Sequence, residues 1–216
     1  ATVDTVVNRI AEYAAALRYA DLSATDVHEC TRHVVDTFGC ALGAWHAEPS
    51  RIARTLATRA GMPGGAHVLG TTHRTLPELA AFTFTSMGRY LDANDTYPGG
   101  GGHPSDIMGA VLATAEAAGA TGTTAITAIV LAYEIYHALW KGYVMRDKGL
   151  DHVFYTAVGA AVGAAKVLGL DRTRMTHAIS LAITPNLALE ATRRGALSMW
   201  KGSAAGNAVD RKSTRL

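Results

Sequence analysis

Side chains able to do acid–base chemistry are concentrated in one glycine-rich stretch, residues 91–106. Five of them lie within fourteen positions: Asp92, Asp95, Thr96, His103 and Ser105. The glycines at 99–102 would let the backbone fold back, so that the histidine approaches one of the two aspartates. A carboxylate beside an imidazole supplies an oriented acid–base group near neutral pH. Free amide groups where a helix starts, near Pro104, would bind a substrate carboxylate. An ordinary turn and an ordinary helix cap explain the same residues, and the stretch alone does not decide between these interpretations.

Two further polar stretches contain candidates. Between residues 141 and 152, His152 follows Asp151 and is either a helix cap or an active-site group. The stretch from 190 to 201 holds three cations: Arg193, Arg194 and Lys201. Long cationic side chains usually extend along the surface into solvent, so an exposed position is the simple alternative for each of them.

Metal, phosphate and disulfide chemistry are weakly indicated. The glycine run is not followed by the Gly-Lys-Ser/Thr of a phosphate-binding loop. The two aspartates and the histidine of the first stretch could hold a divalent ion, but such a cluster is more often hydrogen-bonded than metallated. Cys30 and Cys40 are too few for a disulfide framework or an iron–sulfur cluster, and we expect two buried, reduced thiols. We therefore predict neither a metal nor a cofactor.

Composition indicates a soluble globular protein. The 216 residues are 49% apolar and 18% charged, and their number suits one domain with room for a small second one. A net charge of +2 excludes the strongly basic surface of a non-specific nucleic-acid binder. Thr127, Glu134 and His137 interrupt the best apolar run, so that no membrane span is predicted, and no apolar signal block opens the chain. We expect a cytoplasmic protein that binds neither nucleic acid nor membranes.

The elements that must position these side chains are predicted to be helices almost throughout. After Ser23, apolar residues repeat at three- and four-residue steps: Val27, Cys30, Val34, Phe38, Leu42 and Trp45. A capping box of Thr75 and Glu78 would start the next helix, which runs to about Tyr90. Later helices are predicted from Pro104 to before Gly119, at 121–140, at 156–168, from Asp171 to about Ile183, and at 202–209.

Strand signals are thin, and the single strand-like run is 66–70. Small residues cover every face of segments such as 157–165, so that neighbouring helices can approach closely. This pattern favours an all-α bundle with close helix crossings.

Two motifs of the first polar stretch resemble the signature of the MmgE/PrpD family. They are Leu91-Asp-Ala-Asn-Asp-Thr96 and Gly102-His-Pro-Ser-Asp106. Further similar segments occur in order along the chain: 11–13, 36–40, 149–153, 164–170, 200–202 and 206–208. The family includes 2-methylcitrate dehydratases, cis-aconitate decarboxylases and an iminodisuccinate epimerase. The resemblance covers about residues 5 to 209. Within it, the segment 149–153 is most similar to the 2-methylcitrate dehydratase branch.

The resemblance implies a site for a small di- or tricarboxylate, without an iron–sulfur cluster. The catalytic positions it implies are Asp92, His103, Lys201 and, at or one residue from a family histidine, His152. Thr96 is the substrate-binding position that the resemblance implies; the helix start adds Ser105, and positive charge adds Arg193 and Arg194, as further expected substrate-binding residues. Dehydration needs a base, an acid and positive charge to hold the developing anion, and these residue types supply all three. Whether the aspartate orients the histidine or is itself the base stays open.

The family's fold implies a helical domain and a smaller α+β lid. The resemblance implies that residues 1–209 are an incomplete helical domain, that the lid is absent, and that 210–216 are a tail foreign to the family. An uncovered helical core implies self-association or a partner protein, and we expect a homodimer. The predicted activity is dehydration of 2-methylcitrate or a similar tricarboxylate. The alternatives are the decarboxylase or epimerase branch, or an inactive helical self-association module.

Overall fold

The computed structural model describes residues 5–99, 101–184, 187–195 and 198–210. It confirms the predicted all-α class. The α-helices in these residues are α1 Thr5–Ala16, α2 Ala24–Gly43, α3 Glu48–Thr58, α4 Pro77–Tyr90, α5 Met108–Ala117, α6 Gly122–Gly142, α7 Val153–Val167, α8 Arg172–Ile183 and α9 Met199–Asp210. Short 3₁₀ turns occur at Tyr19–Asp21, Pro104–Ile107, Met145–Lys148 and Glu190–Arg193. Asp210, the first residue of the predicted tail, ends α9, and 211–216 lie outside the described residues.

Three predicted helix starts are confirmed by their side-chain caps. Ser23, Thr121 and Asp171 each accept a hydrogen bond from a backbone N–H in the first turn of α2, α6 and α8. These signals act within three residues, so the sequence carries them in full.

The predicted capping box at Thr75 is wrong. Thr75 lies in a two-residue strand, β2 Arg74–Thr75, which pairs antiparallel with β1 Gly61–His67. Its buried hydroxyl donates to the carbonyls of Ala57 and Ala60, 2.7 and 2.6 Å away, at the end of α3. The hydroxyl is therefore engaged at the end of α3, and α4 starts at Pro77 without a side-chain cap.

The inward face of α2 also differs from the prediction at one position. Leu42 is 51% exposed, whereas Cys30, Thr37 and Ala41 are buried. Burial raises the pKa of the Cys30 thiol to about 11, while Cys40 is only partly buried.

Helix α7 forms the centre of the bundle and packs on α5, α6, α8 and α9. Its small residues make this possible, as predicted. A Cβ on Gly163 would lie 2.5 Å from Val111 Cγ2, so α5 approaches α7 too closely for any side chain there. At its far end, Lys166 donates to the carbonyl of Ala14, 2.8 Å away, and thereby caps α1. Among the described residues, none of the helices combines the length and apolarity needed to cross a membrane.

Candidate active site

The glycine-rich stretch joins the end of α4 to the 3₁₀ turn that precedes α5, and it is tightly closed. The carbonyl of Gly102 accepts from the Tyr97 N–H at 2.9 Å and from Thr96 Oγ1 at 3.2 Å. The carbonyl of Gly101 accepts from the Tyr136 hydroxyl at 2.9 Å. The Thr96 hydroxyl thus closes the loop, and the loop places His103 beside the end of α4.

Gly102 has to be a glycine for two reasons. Its φ is +76°, in the left-handed region, and a Cβ there would lie 2.2 Å from His152 Cδ2 and 2.4 Å from the Tyr136 hydroxyl. Gly102 therefore permits close approach of the backbone to the start of α7 and to α6, which is a packing role.

The prediction that the histidine approaches an aspartate is confirmed for Asp92. His103 Nε2 lies 3.4 Å from Asp92 Oδ1. Asp92 follows Leu91, the C-cap of α4, and it is the one described non-glycine residue with positive φ, at 55°. Aspartate tolerates this conformation better than most residues. The turn aims its carboxylate at both His103 and Arg89, whose guanidinium hydrogen-bonds the same oxygen.

Asp95 is engaged elsewhere. Its Oδ1 accepts from the Ser105 N–H at 3.0 Å, and its Oδ2 accepts from the Tyr133 hydroxyl at 2.9 Å. The expectation that the Ser105 amide is free for a substrate carboxylate is therefore wrong, because a side chain of the protein already occupies it. The Ser105 side chain is itself buried and accepts from Asn94 Nδ2 at 2.8 Å.

The two members of the Asp92–His103 pair differ in environment and so in protonation. Burial, reinforced by the Arg89 guanidinium, lowers the pKa of His103 below its usual value, against the opposing effects of Asp92 and Asp95. The hydrogen bond from Arg89 lowers the pKa of the Asp92 carboxyl. Near neutral pH the pair is therefore a neutral imidazole beside an ionised carboxylate.

Arg89 was missed by the sequence analysis. Its side chain is 12% exposed, and its Nε lies 3.7 Å from Oδ2 of the buried Asp106 in addition to the Asp92 contact. The available signal was its spacing: a base three residues before an acid at the end of a helix forms an i, i+3 pair.

His152 joins the same site from the start of α7. Its ring centroid lies 6.3 Å from that of His103. Its Nδ1 is 3.0 Å from Oδ1 of the buried Asp151, which also accepts from the Val153 N–H. The sequence analysis gave Asp151 no role. A cavity of about 190 Å³ adjoins His152, and it is lined also by Trp140, Tyr155 and the 3₁₀ turn at Met145–Lys148.

Of the three predicted cations, Lys201 and Arg194 have described side chains. Lys201 is in α9, one turn before Ala205, which packs with Val153 next to His152, and its Nζ donates to the carbonyl of Gly195 at 2.9 Å. Arg194 is exposed and bonds Glu190 at 2.8 Å. The side chain of Arg193 lies outside the described residues.

The site combines a buried imidazole, an ionised carboxylate, a second histidine–aspartate pair and a buried guanidinium, which together can move protons beside an anionic substrate. Within the described ranges, no three His, Cys, Asp or Glu side chains are grouped so that they could hold a metal ion.

The described residues thus define an all-α domain that brings two histidine–carboxylate pairs together, an arrangement suited to acid–base chemistry. The family model of the MmgE/PrpD N-terminal domain matches residues 8–211. The chain belongs to the MmgE/PrpD family.

Curated proteins similar in sequence to this chain include 2-methylcitrate dehydratases from several organisms. The enzyme of Salmonella typhi is 33% identical over 200 residues, covering 85% of this chain and 40% of that protein. That of Cupriavidus necator is 32% identical over 223 residues, covering 95% and 46%. A probable 2-methylcitrate dehydratase of Saccharomyces cerevisiae is 30% identical over 196 residues, covering 82% and 37%. The chain thus spans less than half the length of these relatives.

Proposed function

We propose that this chain carries the catalytic helical domain of a hydro-lyase that dehydrates 2-methylcitrate or a closely similar small tricarboxylate. The names of the relatives support the substrate class. The observation that carries the proposal is the buried, neutral His103 held against the ionised Asp92.

In the proposed reaction, His103 is the general base. It takes a proton from a carbon adjacent to a substrate carboxylate, and the electron pair of that C–H bond forms the new carbon–carbon double bond. The carbon–oxygen bond on the neighbouring carbon breaks, and the hydroxyl leaves as water after accepting a proton. A neutral imidazole can accept the first proton, whereas Asp92, with its lowered pKa, is a weaker base. This assigns Asp92 the orienting role.

His152 is proposed as the acid that protonates the departing hydroxyl. Its partner Asp151 would hold the ring in one orientation and stabilise its charged form. Lys201 is proposed to contact a substrate carboxylate, with Arg193 and Arg194 adding positive charge. Thr96 and Ser105, whose hydroxyls are engaged within the protein, are proposed to act by shaping the site.

A substrate panel tests this function. The protein is incubated separately with 2-methylcitrate, cis-aconitate and iminodisuccinate, and the unsaturated product of dehydration is followed by its ultraviolet absorbance. We expect turnover of 2-methylcitrate, and a kcat reduced roughly a hundredfold to ten-thousandfold in His103→Asn, the range of a lost general base. His177→Asn, an exposed histidine on α8, is the matched control and should keep full activity. Turnover of another acid alone would move the protein to the decarboxylase or epimerase branch.

We also propose that the chain forms a homodimer. An apolar groove of about 690 Å³ between α1 and α6, which includes the exposed Tyr13 and Tyr143, supports this. The same groove favours the alternative of a non-catalytic self-association module. Light scattering tests the dimer, and turnover of 2-methylcitrate by the chain alone would exclude the non-catalytic alternative. The predicted cytoplasmic location stays a prediction.

A further inference from the structure

Asp95 joins three parts of the fold that are distant in sequence. Its side chain is 13% exposed, and each oxygen has a partner. Oδ1 accepts from the Ser105 N–H of the 3₁₀ turn, and Oδ2 accepts from the Tyr133 hydroxyl of α6. Nδ1 of His33, on α2, lies 3.4 Å from Oδ2. One carboxylate therefore ties the glycine-rich loop to the turn after it and to two helices.

The tie to Ser105 acts on His103 through a short and stiff piece of backbone. Only Pro104, whose ring fixes φ, separates the two residues. The carbonyl of His103 accepts from the Asp106 N–H at 3.1 Å, which continues the same turn. On the other side, the carbonyls of Gly101 and Gly102 are held as described above. The backbone before His103 is thus held through the Gly101 and Gly102 carbonyls, and the backbone after it is held by Asp95 through the Ser105 N–H.

We propose that Asp95 is a positioning residue, whose carboxylate fixes the imidazole of His103 against Asp92 by anchoring the Ser105 amide to α6. The inference rests on the proposed role of His103 as a base. Asp95 itself does not touch the substrate: its oxygens are turned to the protein, and Tyr133, whose burial raises its pKa well above 10, stays a proton donor to it.

The charges around His103 supply a readout that loss of packing alone would not change. The groups facing it are Arg89 at the end of α4, Asp92 and Asp95 in the loop, and His152 at the start of α7. Burial and Arg89 lower the pKa of His103, whereas Asp92 and Asp95 raise it; Asp95 acts through a backbone hydrogen bond and, in addition, through the charge of its carboxylate. Removing the charge of Asp95 should therefore lower the pKa of His103 further.

The experiment compares Asp95→Asn with wild type and with Asp36→Asn, a matched control at an exposed aspartate on α2. The histidine Cε1–H resonances of the chain are titrated by NMR, with His103 assigned from His103→Asn. We expect the His103 midpoint to move to lower pH in Asp95→Asn and not in the control. In kinetics with 2-methylcitrate, we expect kcat to fall about tenfold, as for one lost charge-assisted hydrogen bond, with KM unchanged.

Tyr133→Phe is the second variant, because it keeps the charge of Asp95 and removes one of its donors. It should lower kcat by about the same factor without moving the His103 midpoint down. A wild-type midpoint in folded Asp95→Asn, or wild-type kcat in Tyr133→Phe, would overturn the proposal. If wild type does not turn over 2-methylcitrate, the proposed function fails, but the NMR titration still decides whether Asp95 acts on His103.

Discussion

Replacing Gly102 with alanine should cost more stability than replacing Gly99, the other described glycine of the loop with positive φ. The new Cβ would overlap His152 Cδ2 and the hydroxyl of Tyr136, and Tyr136 is fully buried with no room to withdraw. The backbone is also in the left-handed region at φ +76°. Two separate penalties therefore act at one position.

Their sizes can be estimated. The left-handed conformation costs an alanine about 1–2 kcal/mol relative to glycine. Relief of overlap in a packed interior adds about 1–3 kcal/mol. The sum, about 2–5 kcal/mol, is a large part of the total stability of about 5–15 kcal/mol that is typical of a domain. Relief by displacement would move His152 away from His103, and activity would fall even where the fold survives.

Gly99→Ala is the matched control. Gly99 also has positive φ, at +67°, but a Cβ there meets nothing within 4 Å. It should lose only the conformational part, about 1–2 kcal/mol. Urea unfolding monitored by circular dichroism measures both variants. Equal losses in the two, or a Gly102→Ala variant as stable as wild type, would refute the argument that close approach to His152 and Tyr136 requires this glycine.

Three further predictions concern charged and titrating groups. Lys166→Met should lower the free energy of unfolding by about 1–2 kcal/mol, because the carbonyls at the end of α1 lose their donor; unchanged urea midpoints would contradict this. Arg89→Gln should raise the pKa of both Asp92 and His103, since Arg89 lowers both. Because the proposed base is neutral His103, the acidic limb of the pH–rate profile should move to higher pH. A limb that stays in place or moves to lower pH would refute the electrostatic role of Arg89. His103 has a lower pKa in the folded protein than in the unfolded chain, so the unfolded chain binds a proton more tightly. The free energy of unfolding should therefore fall as the pH drops from above about 6.5 toward the pKa of folded His103. His103→Asn should remove that part of the loss, as measured by urea titration at several pH values.

Helix positions were largely predictable because their signals are local. A cap such as Ser23 or Asp171 acts on an amide three residues away, and the apolar repeats of α4 through α8 lie within each helix. Thr75 shows where this reasoning fails. Its spacing to Glu78 is that of a capping box, but its hydroxyl serves carbonyls at the end of another helix, and no local pattern reports that competition.

In the candidate site, too, local relationships could be predicted and long-range contacts could not. The approach of His103 to one of the two aspartates could be predicted, because only a short glycine-containing stretch separates them in sequence. The choice between Asp92 and Asp95 could not, since it depends on Tyr133 and on the Ser105 amide. Ser105 was predicted to offer a free amide for the same reason: the sequence does not show that a nearby carboxylate already fills it.

The structure also suggests why the site uses two aspartates so close in sequence. Each takes a different task by its surroundings: Asp95 is enclosed and bonded on both oxygens, whereas the side chain of Asp92 is 71% exposed and shares one oxygen between Arg89 and His103. An exposed carboxylate keeps its charge at little desolvation cost, and it can stabilise an imidazolium that forms during proton transfer. An enclosed one is better suited to fix backbone. The same side chain therefore stabilises charge at one position and fixes the backbone at the other, because burial and hydrogen-bond partners differ between the two.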